Sequence, residues 1–389
     1  MSTLNETDPP VNISNLQIDS NHPQNDENEI ESPTETTLFP KIAGKIGELI
    51  RNYRNANPVD PTLPLSKNNI FNPDTPRLIS LTGTVKLHGT HADIVVYNDN
   101  TVRLQSRNRL SLDPENDNYG FAERLVPLNP NVLRLRDRVL KRFRKLNPGM
   151  EVLDEHPVII AGEWVGPGVQ RSSRLGLEKF ETKCLVIISL AVNNKWLADE
   201  AYADIEDVDA GIYNISRGGF FHEILDFKEP QPCSERMMEF TLAVEKECPF
   251  SKSFGISGIG EGIVWKAAPP LGENAMFWVK TKGPLHRVSN TDDLNKPPPN
   301  MDARDKARVF AEAAVTEMRL QQGWDYLGEM GIEKDTKAIP KIMEWVCNDV
   351  LVEEKSTIEE MGIDKAALKV SVGKIARDWF LTTLKEGKA

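Results

Sequence analysis

The stretch "VKLHGT" combines a lysine, a histidine and a glycine at the end of a run of β-branched residues. Lys86 stands where a strand is predicted to end, and Gly89 predicts an immediate turn. A lysine buried at a strand end is costly unless its pKa falls or its charge is paired. A solvated lysine on a surface turn is the alternative for this stretch taken alone.

Four later stretches repeat this arrangement, with a charged side chain that ends or interrupts an apolar run: "LQSRNR", "AGEWVGPGVQ", "GEGIVWKA" and "FWVKTKG". Their charged side chains are Arg107, Glu163, Glu261, Lys266, Lys280 and Lys282. Lys280 and Lys282 are two residues apart and therefore share one face of a strand. Each stretch alone is typical of a turn or a solvated strand edge. Together they predict cationic and acidic groups lining one cleft between two sheets.

Apolar runs predict the strands that position these side chains. The runs are "RLISLTGTVKL", "ADIVVYNDNTVRLQSR", "PVIIAGEWVG", "KCLVIISLAV", "SGIGEGIVWKA" and "AMFWVKTKG". Asn98-Asp99-Asn100 predicts a hairpin within the second run, and a Pro/Gly turn joins the last two. A short amphipathic helix is predicted before the first strand, from about Ile42 to Arg54.

The residue pattern changes at "NTDDLNKPPPN", where three consecutive prolines predict a stiff linker. The segments after it have helical periodicity. Residues 1–37 contain few large apolar side chains and are predicted to be disordered. The predicted organisation is an acidic tail at 1–37, an α+β body at 38–290, a linker at 291–300 and a helical domain at 301–389.

The net charge of −11 is unevenly distributed. The first 40 residues contain eight acids and no lysine or arginine, which leaves about −3 for the remainder. The folded part can therefore present a basic face. The sequence predicts neither a membrane span nor a signal peptide or mitochondrial presequence. The four cysteines lack metal-ligand spacing and are predicted to be reduced thiols of an intracellular protein.

The five stretches, in their order, resemble the motifs of the covalent nucleotidyltransferases: ATP-dependent RNA ligases, DNA ligases and mRNA capping enzymes. "KLHGT" is closest to the K-x-H-G-T motif of the RNA ligase 2 family. DNA ligases and capping enzymes usually have an aspartate at the position of His88. "GEWVGPGVQ" resembles the third motif of the RNA ligase 2 family, G-E-[FL]-x-G-P-G-[IV]-Q. The resemblance covers about Leu81–Gly283.

The resemblance implies an α+β fold: a nucleotidyltransferase (ATP-grasp-like ligase) domain of two antiparallel sheets around a nucleotide cleft, followed by a small all-α C-terminal domain. It implies ATP and Mg²⁺ or Mn²⁺ as cofactors. The implied substrate is RNA with 5′-phosphate and 3′-OH ends, with a nicked duplex as one candidate, in RNA repair or processing. Such enzymes join ends through lysyl-AMP and adenylylated RNA, and positioning and charge neutralisation dominate phosphoryl transfers of this kind.

The resemblance also implies roles for the residues that carry the chemistry. Lys86 is the implied nucleophile, and His88 would brace it or the pyrophosphate. Lys280 and Lys282 would hold the phosphates and lower the pKa of Lys86, because nearby positive charges disfavour protonation. A neutral core histidine is the alternative for His88.

Other positions are implied to bind the nucleotide. Arg107 would meet the sugar and phosphate, Glu163 the ribose hydroxyls, and Glu261 the metal-bound waters around the phosphates. The family stacks adenine on an aromatic residue in a strand like "KCLVIISLAV", but Ile187 or Ile188 stands there in this sequence. We expect Ile188 to hold the base through apolar contact instead, so preference for ATP rests on the resemblance.

Two features are expected to contact RNA. The family commonly has an asparagine after H-G-T that contacts nucleic acid during sealing, whereas His91 stands here and its charge depends on pH. The stretch "NVLRLRDRVLKRFRKLNP" predicts a helix with an apolar stripe and a basic face. Arg138, Lys141, Arg142 and Lys145 on that helix are predicted to contact the phosphate backbone. A solvated basic face and a calmodulin-type target helix are the alternatives.

The predicted function is therefore an ATP-dependent RNA ligase. A DNA ligase or capping-type guanylyltransferase is an alternative. His88 argues against both, and so does the helical C-terminal region, since those enzymes carry a β-barrel in place of these helices. Another alternative is a noncatalytic RNA-binding protein that retains only the fold. The complete set of charged motif residues argues against it. The helical region is expected to serve the steps after lysine adenylylation, because every nucleotide-contacting candidate precedes Pro284.

Overall fold

The computed structural model describes residues 38–58, 75–170, 176–291, 294–295, 297–298 and 300–386. The predicted acidic tail at 1–37 lies outside these residues, as do four positions of the predicted linker at 291–300. The described residues belong to one compact unit. Within it, side chains from the predicted body and from the predicted helical domain line one cleft.

Ten strands form two sheets in the described part of the chain. They are β1 (Leu78–Lys86), β2 (Thr90–Val96), β3 (Val102–Ser106), β4 (Val158–Val165), β5 (Cys184–Val192), β6 (Lys195–Trp196), β7 (Ile212–Asn214), β8 (Phe221–Asp226), β9 (Gly262–Ala267) and β10 (Trp278–Lys282). The first sheet has the order β10-β9-β1-β8, and the second has the order β3-β2-β4-β5-β6, with β7 alongside β5.

The pairings confirm the predicted α+β class with two antiparallel sheets. All pairs in the first sheet are antiparallel. In the second sheet the one exception among the described strands is β7, which runs parallel to β5. The predicted hairpin joins β2 and β3, with Val96 opposite Val102. Asn100 in its turn has φ 68°, a left-handed conformation that asparagine tolerates better than most residues.

The second sheet is buried on both faces, which explains why its strands are nearly continuous apolar runs. All seven residues of β2 are buried. Ala92 and Ile94 pack into an apolar cluster on one face, whereas His91 lines the cleft on the other face, as expected from alternation along a strand. The sheet therefore has an outer face that packs on helices and an inner face that bears polar side chains.

Ten α-helices surround the sheets and follow them in the described residues. They are α1 (Ile46–Ala56), α2 (Phe121–Leu125), α3 (Asn129–Leu146), α4 (Gln231–Lys246), α5 (Pro249–Lys252), α6 (Ala303–Ala314), α7 (Glu317–Glu329), α8 (Ile339–Glu353), α9 (Lys355–Met361) and α10 (Lys365–Lys385). Among the described residues, no helix is both long and apolar enough to cross a membrane.

The first helix begins later than predicted. We expected it to start at about Ile42, but α1 starts at Ile46 because the preceding segment, residues 38–45, is used at the edge of the first sheet. Ala43 forms a parallel bridge with Val279 of β10, and its carbonyl accepts the backbone N–H of Lys280 over 2.8 Å. Segment 38–45 thereby reaches the cleft.

Helices α6 to α10 confirm the predicted helical C-terminal region. They share an apolar core that includes Phe310, Leu327 and Phe380. Arg319 is fully buried beside this core and pairs with Asp349 over 3.0 Å and with Glu354 over 3.2 Å. Because a buried guanidinium needs such partners, Arg319 fixes the position of the acidic residues near the end of α8.

Candidate active site

The structure brings nine predicted site residues together in one cavity of about 520 Å³. They are Lys86, His88, His91, Arg107, Glu163, Ile188, Glu261, Lys280 and Lys282. The cavity lies between the two sheets and is also lined by residues of segment 38–45, α7 and α8. Charged groups that are far apart in sequence thus line one cleft.

The centre of the cavity is a carboxylate held between two lysines. Strand β9 lies between β1 and β10, and Gly262 is opposite both Lys86 and Lys282. The preceding residue, Glu261, therefore lies between the two lysines. Its Oε2 is 2.7 Å from Lys86 Nζ, and its Oε1 is 2.7 Å from Lys282 Nζ. A Cβ at Gly262 would lie 2.0 Å from the carbonyl oxygen of Thr281, so only glycine fits between the strands.

The charges of this centre determine its protonation. Although burial raises the pKa of Glu261, Lys282 and Lys86 hold it well below its usual range. Burial lowers the pKa of Lys282. Burial also acts to lower the pKa of Lys86, but Glu261 and Glu163 outweigh it and leave that pKa raised. We expected Lys280 and Lys282 to lower the Lys86 pKa, but in this arrangement the net Lys86 pKa is raised, because the Glu261 carboxylate contacts Lys86 directly.

The turn after Lys86 is shaped by close backbone packing. A Cβ at Gly89 would lie 2.4 Å from the carbonyl oxygen of Trp164, so the backbone can approach β4 only if this residue is glycine. The Gly89 N–H donates to Glu163 Oε1 over 2.9 Å. Burial raises the pKa of Glu163. The hydrogen bond to this turn thus holds Glu163 in the cavity near Lys86.

His88 faces the central carboxylate from the same turn. Its Nδ1 is 3.8 Å from Glu261 Oε2, and its side chain is largely buried. A second histidine, His286, lies behind it with a ring-centroid distance of 6.3 Å. Burial lowers the pKa of His286 to about 4, so this residue adds no positive charge to the centre at neutral pH.

Arg107 and His91 are held by Phe39, which the sequence analysis missed. Arg107 donates from Nη1 to the Phe39 carbonyl over 2.9 Å and lies 5.6 Å above the Phe39 ring. The His91 ring is 4.7 Å from the same ring, and its Nε2 is 2.8 Å from Asp93 Oδ2 without hydrogen-bond alignment. Phe39 lies far ahead of the five motifs, so no local pattern marked it. Its contacts fix the orientation of two motif side chains.

A buried polar network lies beside Ile188. Lys266 Nζ donates to Ser189 Oγ over 2.6 Å and to Asp199 Oδ1 over 2.8 Å, and it lies 4.3 Å from the Trp278 ring centroid. Burial lowers the pKa of Lys266 and raises that of Asp199. Lys266 stands in the stretch "GEGIVWKA", which by itself predicts no role for this lysine. The network fixes the middle of β5, which presents Ile188 to the cavity.

Helices α7 and α8 form a further wall of the cleft, which the sequence analysis did not predict. Glu329 accepts the side-chain amide of Asn108 over 2.7 Å, and its carbonyl accepts Arg109 Nη1 over 2.8 Å. Glu353 accepts Lys280 Nζ over 2.9 Å. These residues carry no local signal in the sequence, because an acidic helix surface is typical of exposure to water.

The basic helix α3 lies away from the cleft. Its residues Val132 and Val139 pack on the outer face of the second sheet. Arg138 donates to the Glu206 and Asp204 carbonyls over 2.6 and 2.7 Å, and Arg142 donates to the Ala201 carbonyl over 2.6 Å. Lys141 and Lys145 are exposed. The two arginines thus tie α3 to the loop after β6, and the two lysines face solvent.

A family model for RNA ligases matches residues 80–282, just over half of the chain. The chain belongs to the RNA ligase family. The match covers almost all of both sheets and all nine cleft residues named above, but neither segment 38–45 nor helices α6 to α10. No curated protein sequence matches this RNA ligase-family protein.

Solved structures of a Naegleria gruberi RNA ligase show partial similarity to this RNA ligase-family protein. A mutant form with ATP and manganese aligns at 14% identity and a TM-score of 0.34, over 63% of this chain and 56% of that chain. Another mutant form, with AMP and manganese, aligns at 13% identity and a TM-score of 0.32, over 52% and 49%. The aligned part thus spans about half the length of the Naegleria chains.

Proposed function

We propose that this RNA ligase-family protein is an ATP-dependent RNA ligase of the RNA ligase 2 type. It would join RNA 3′-OH and 5′-phosphate ends through lysyl-AMP and adenylylated RNA, in RNA repair or processing inside the cell. The observation that carries this proposal is the centre in which Glu261 lies 2.7 Å from both Lys86 and Lys282. A lysine nucleophile, a phosphate-binding lysine and an anionic carboxylate are the groups that lysine adenylylation requires.

In the first step, Lys86 Nζ attacks the α-phosphate of ATP. A P–N bond forms, the bond from the α-phosphorus to the oxygen that bridges to the β-phosphate breaks, and pyrophosphate leaves with that oxygen while the amine proton passes to solvent. Lys280 and Lys282 neutralise the phosphates. His88, near Glu261, would brace the nucleophile or the departing pyrophosphate.

The rest of the cavity would hold the nucleotide. Arg107 is oriented by the Phe39 carbonyl to meet the sugar and phosphate, and Glu163 would accept the ribose hydroxyls. Ile188 would contact the base through its apolar side chain. Mg²⁺ or Mn²⁺ fits the donor set, because Mg²⁺ typically binds one or two carboxylates and substrate phosphates while keeping several waters. When bound, the ion would supply charge neutralisation of the phosphates, and Glu261 would contact its waters.

Glu261 links the protonation of Lys86 to the rest of the site. Its carboxylate raises the Lys86 pKa, whereas Arg107 acts in the opposite direction. Any positive charge that draws Glu261 away from Lys86 therefore favours the neutral amine that attacks phosphorus. The carboxylate would thus keep the nucleophile protonated until a cationic partner competes for it.

RNA contacts are proposed at two places. His91 would act in sealing, after its contacts with Phe39 and Asp93 rearrange or through the edge of its ring that faces the cleft. On α3, Lys141 and Lys145 are exposed, while Arg138 and Arg142 would contribute positive charge from their positions beside the loop.

Replacing Lys141 and Lys145 with glutamine is expected to weaken RNA binding and flatten its salt dependence. Each lost phosphate contact should reduce the slope of log K against log salt by about 0.7–0.9. Lysyl-AMP formation should persist, because neither side chain lines the cleft. The measurement is RNA affinity at several salt concentrations, with Lys228→Gln/Lys252→Gln as the matched control. An unchanged slope would return α3 to a solvated basic face.

The function is tested by incubating the protein with α-labelled ATP or GTP and Mg²⁺, followed by denaturing electrophoresis and by ligation of nicked duplexes. We expect label from ATP on the protein and sealing of a nicked RNA strand. Label from GTP alone would indicate a capping-type enzyme, and preference for an all-DNA nick would indicate a DNA ligase. Absence of any adduct together with RNA binding would indicate a noncatalytic RNA-binding protein.

A further inference from the structure

A carboxylate from the helical region lies between two lysines at the edge of the cleft. Glu353, the last residue of α8, accepts Lys280 Nζ at Oε2 over 2.9 Å, and its Oε1 is 3.1 Å from Lys41 Nζ. Lys41 is also 3.1 Å from Asp349 Oδ1. All four side chains line the same cavity as Lys86. One oxyanion thus bridges two ammonium groups.

The bridging group is an anion at neutral pH. Burial raises the pKa of Glu353, but Lys280 and Lys41 outweigh it and lower the pKa to about 2. Two ammonium groups that converge on the oxygens of one anion can bind a phosphate group as well as a carboxylate. Hydrogen bonds between charged partners are stronger than those between neutral partners. The lysine pair therefore has the charge and the geometry to accept either a carboxylate or a phosphate.

The position of the pair along β10 connects it with the reacting centre. Lys282 shares Glu261 with the nucleophile Lys86. Lys280 lies two residues further along the same strand face, a distance of about 6.6 Å. A triphosphate whose α-phosphate faces Lys86 must place its β- and γ-phosphates nearby. The next cationic position on this strand face is the Lys41–Lys280 pair.

We propose that Lys41 and Lys280 form a seat for the β- and γ-phosphates of the nucleoside triphosphate, and that Glu353 occupies this seat in competition with the nucleotide. The inference rests on the proposed function and deepens it. It adds a phosphate-binding residue from outside the family-matched region and a competing anion from the helical region. Because a triphosphate carries more negative charge than one carboxylate, it displaces Glu353 when it binds.

The test measures the initial rate of lysyl-AMP formation by the full chain as a function of ATP concentration. The KM is then the ATP concentration that gives half of the maximal rate. RNA is absent, so that RNA contacts cannot contribute. The variants are Lys41→Met, Lys41→Arg, Glu353→Gln and the double variant Lys41→Met/Glu353→Gln. Matched controls are Lys252→Met and Glu359→Gln, which remove exposed charges away from the cleft. Thermal unfolding of each variant checks that the fold is retained. Binding of inorganic tripolyphosphate, measured by calorimetry, reports on the seat independently of catalysis.

Glu353→Gln is expected to lower the KM for ATP several-fold, because the competing charge is gone. Lys41→Met should raise the KM about tenfold in the Glu353→Gln background, where no carboxylate masks the loss of one charged hydrogen bond. Lys41→Arg should retain most of the affinity. Tripolyphosphate affinity should follow the same order, whereas AMP affinity should not change. Both controls should match the natural sequence.

Two results would overturn the inference. If Lys41→Met lowers the KM or leaves it unchanged in the Glu353→Gln background, Lys41 only anchors the helical region. If Glu353→Gln leaves both the KM and tripolyphosphate binding unchanged, the carboxylate does not compete. If the natural protein forms no lysyl-AMP, but tripolyphosphate affinity changes among the variants as expected, the proposed function is contradicted and the seat is still supported.

Discussion

Lys86→Ala is expected to reduce lysyl-AMP formation to background, because Lys86 is the side chain that would form the bond to phosphorus. The variant should keep its fold, since the Lys86 side chain is 24% exposed and its loss leaves Glu261 paired with Lys282. The measurement is label transferred from α-labelled ATP to the denatured protein. Lys252→Ala, which changes an exposed lysine, is the matched control. Label that survives in Lys86→Ala would place the nucleophile elsewhere.

The rate of lysine adenylylation is also expected to rise with pH through the neutral range. The pKa of Lys86 is raised by Glu261 and Glu163 despite its burial. A group whose pKa lies above the working pH is mostly protonated, so the neutral amine and the rate should increase up to about tenfold per pH unit. Single-turnover measurements at saturating ATP from about pH 6 to 9 would show this slope. A rate independent of pH would mean that deprotonation of Lys86 does not limit the step.

Lys282→Met is expected to slow lysine adenylylation by a factor of about 10² to 10³, the usual cost of removing one group that stabilises charge in a transition state. Two effects contribute. The phosphates lose a cation, and Glu261 keeps Lys86 as its nearest lysine partner, which raises the Lys86 pKa further. The rate should therefore remain low at neutral pH and recover only partly at alkaline pH.

The matched control for Lys282→Met is Lys195→Met, which removes an exposed lysine paired with Glu273. Pre-adenylylated RNA supplied to both variants separates the first step from the last. We expect the Lys282 variant to retain more activity in the joining step than in lysine adenylylation. Normal adenylylation with a defect confined to joining would contradict the role of Lys282 at the triphosphate.

The cleft could be predicted from sequence because its charged residues interrupt apolar strands. Glu261 and Lys282 stand out against β-type runs, and Gly89 marks the turn that lets Glu163 approach. The direction of the Lys86 pKa could not be predicted, because it depends on a 2.7 Å contact with Glu261 that, together with Glu163, outweighs burial and the charge of Arg107. Spacing along the chain does not indicate whether a carboxylate or a cation lies nearer to Lys86 in the folded protein.

Residues contributed from outside the motifs could not be predicted for a different reason. Phe39 and Lys41 precede the strands by many residues, and Glu353 lies on a helix whose acidic surface is typical of exposure to water. Their roles arise from packing between distant segments. The motif pattern also gave no indication that Arg138 and Arg142 would bind backbone carbonyls of a loop.

Segment 38–45 has a consequence for how this fold resists self-association. Strand β10 is the outermost strand of its sheet, and an uncovered edge strand is a template for pairing with another chain. Ala43 blocks part of that edge by pairing beside Val279 and accepting the Lys280 N–H. A fragment limited to the family-matched residues 80–282 would leave the edge uncovered, together with apolar side chains that contact α1. Such a fragment is expected to aggregate, although it carries every charged residue of the five motifs.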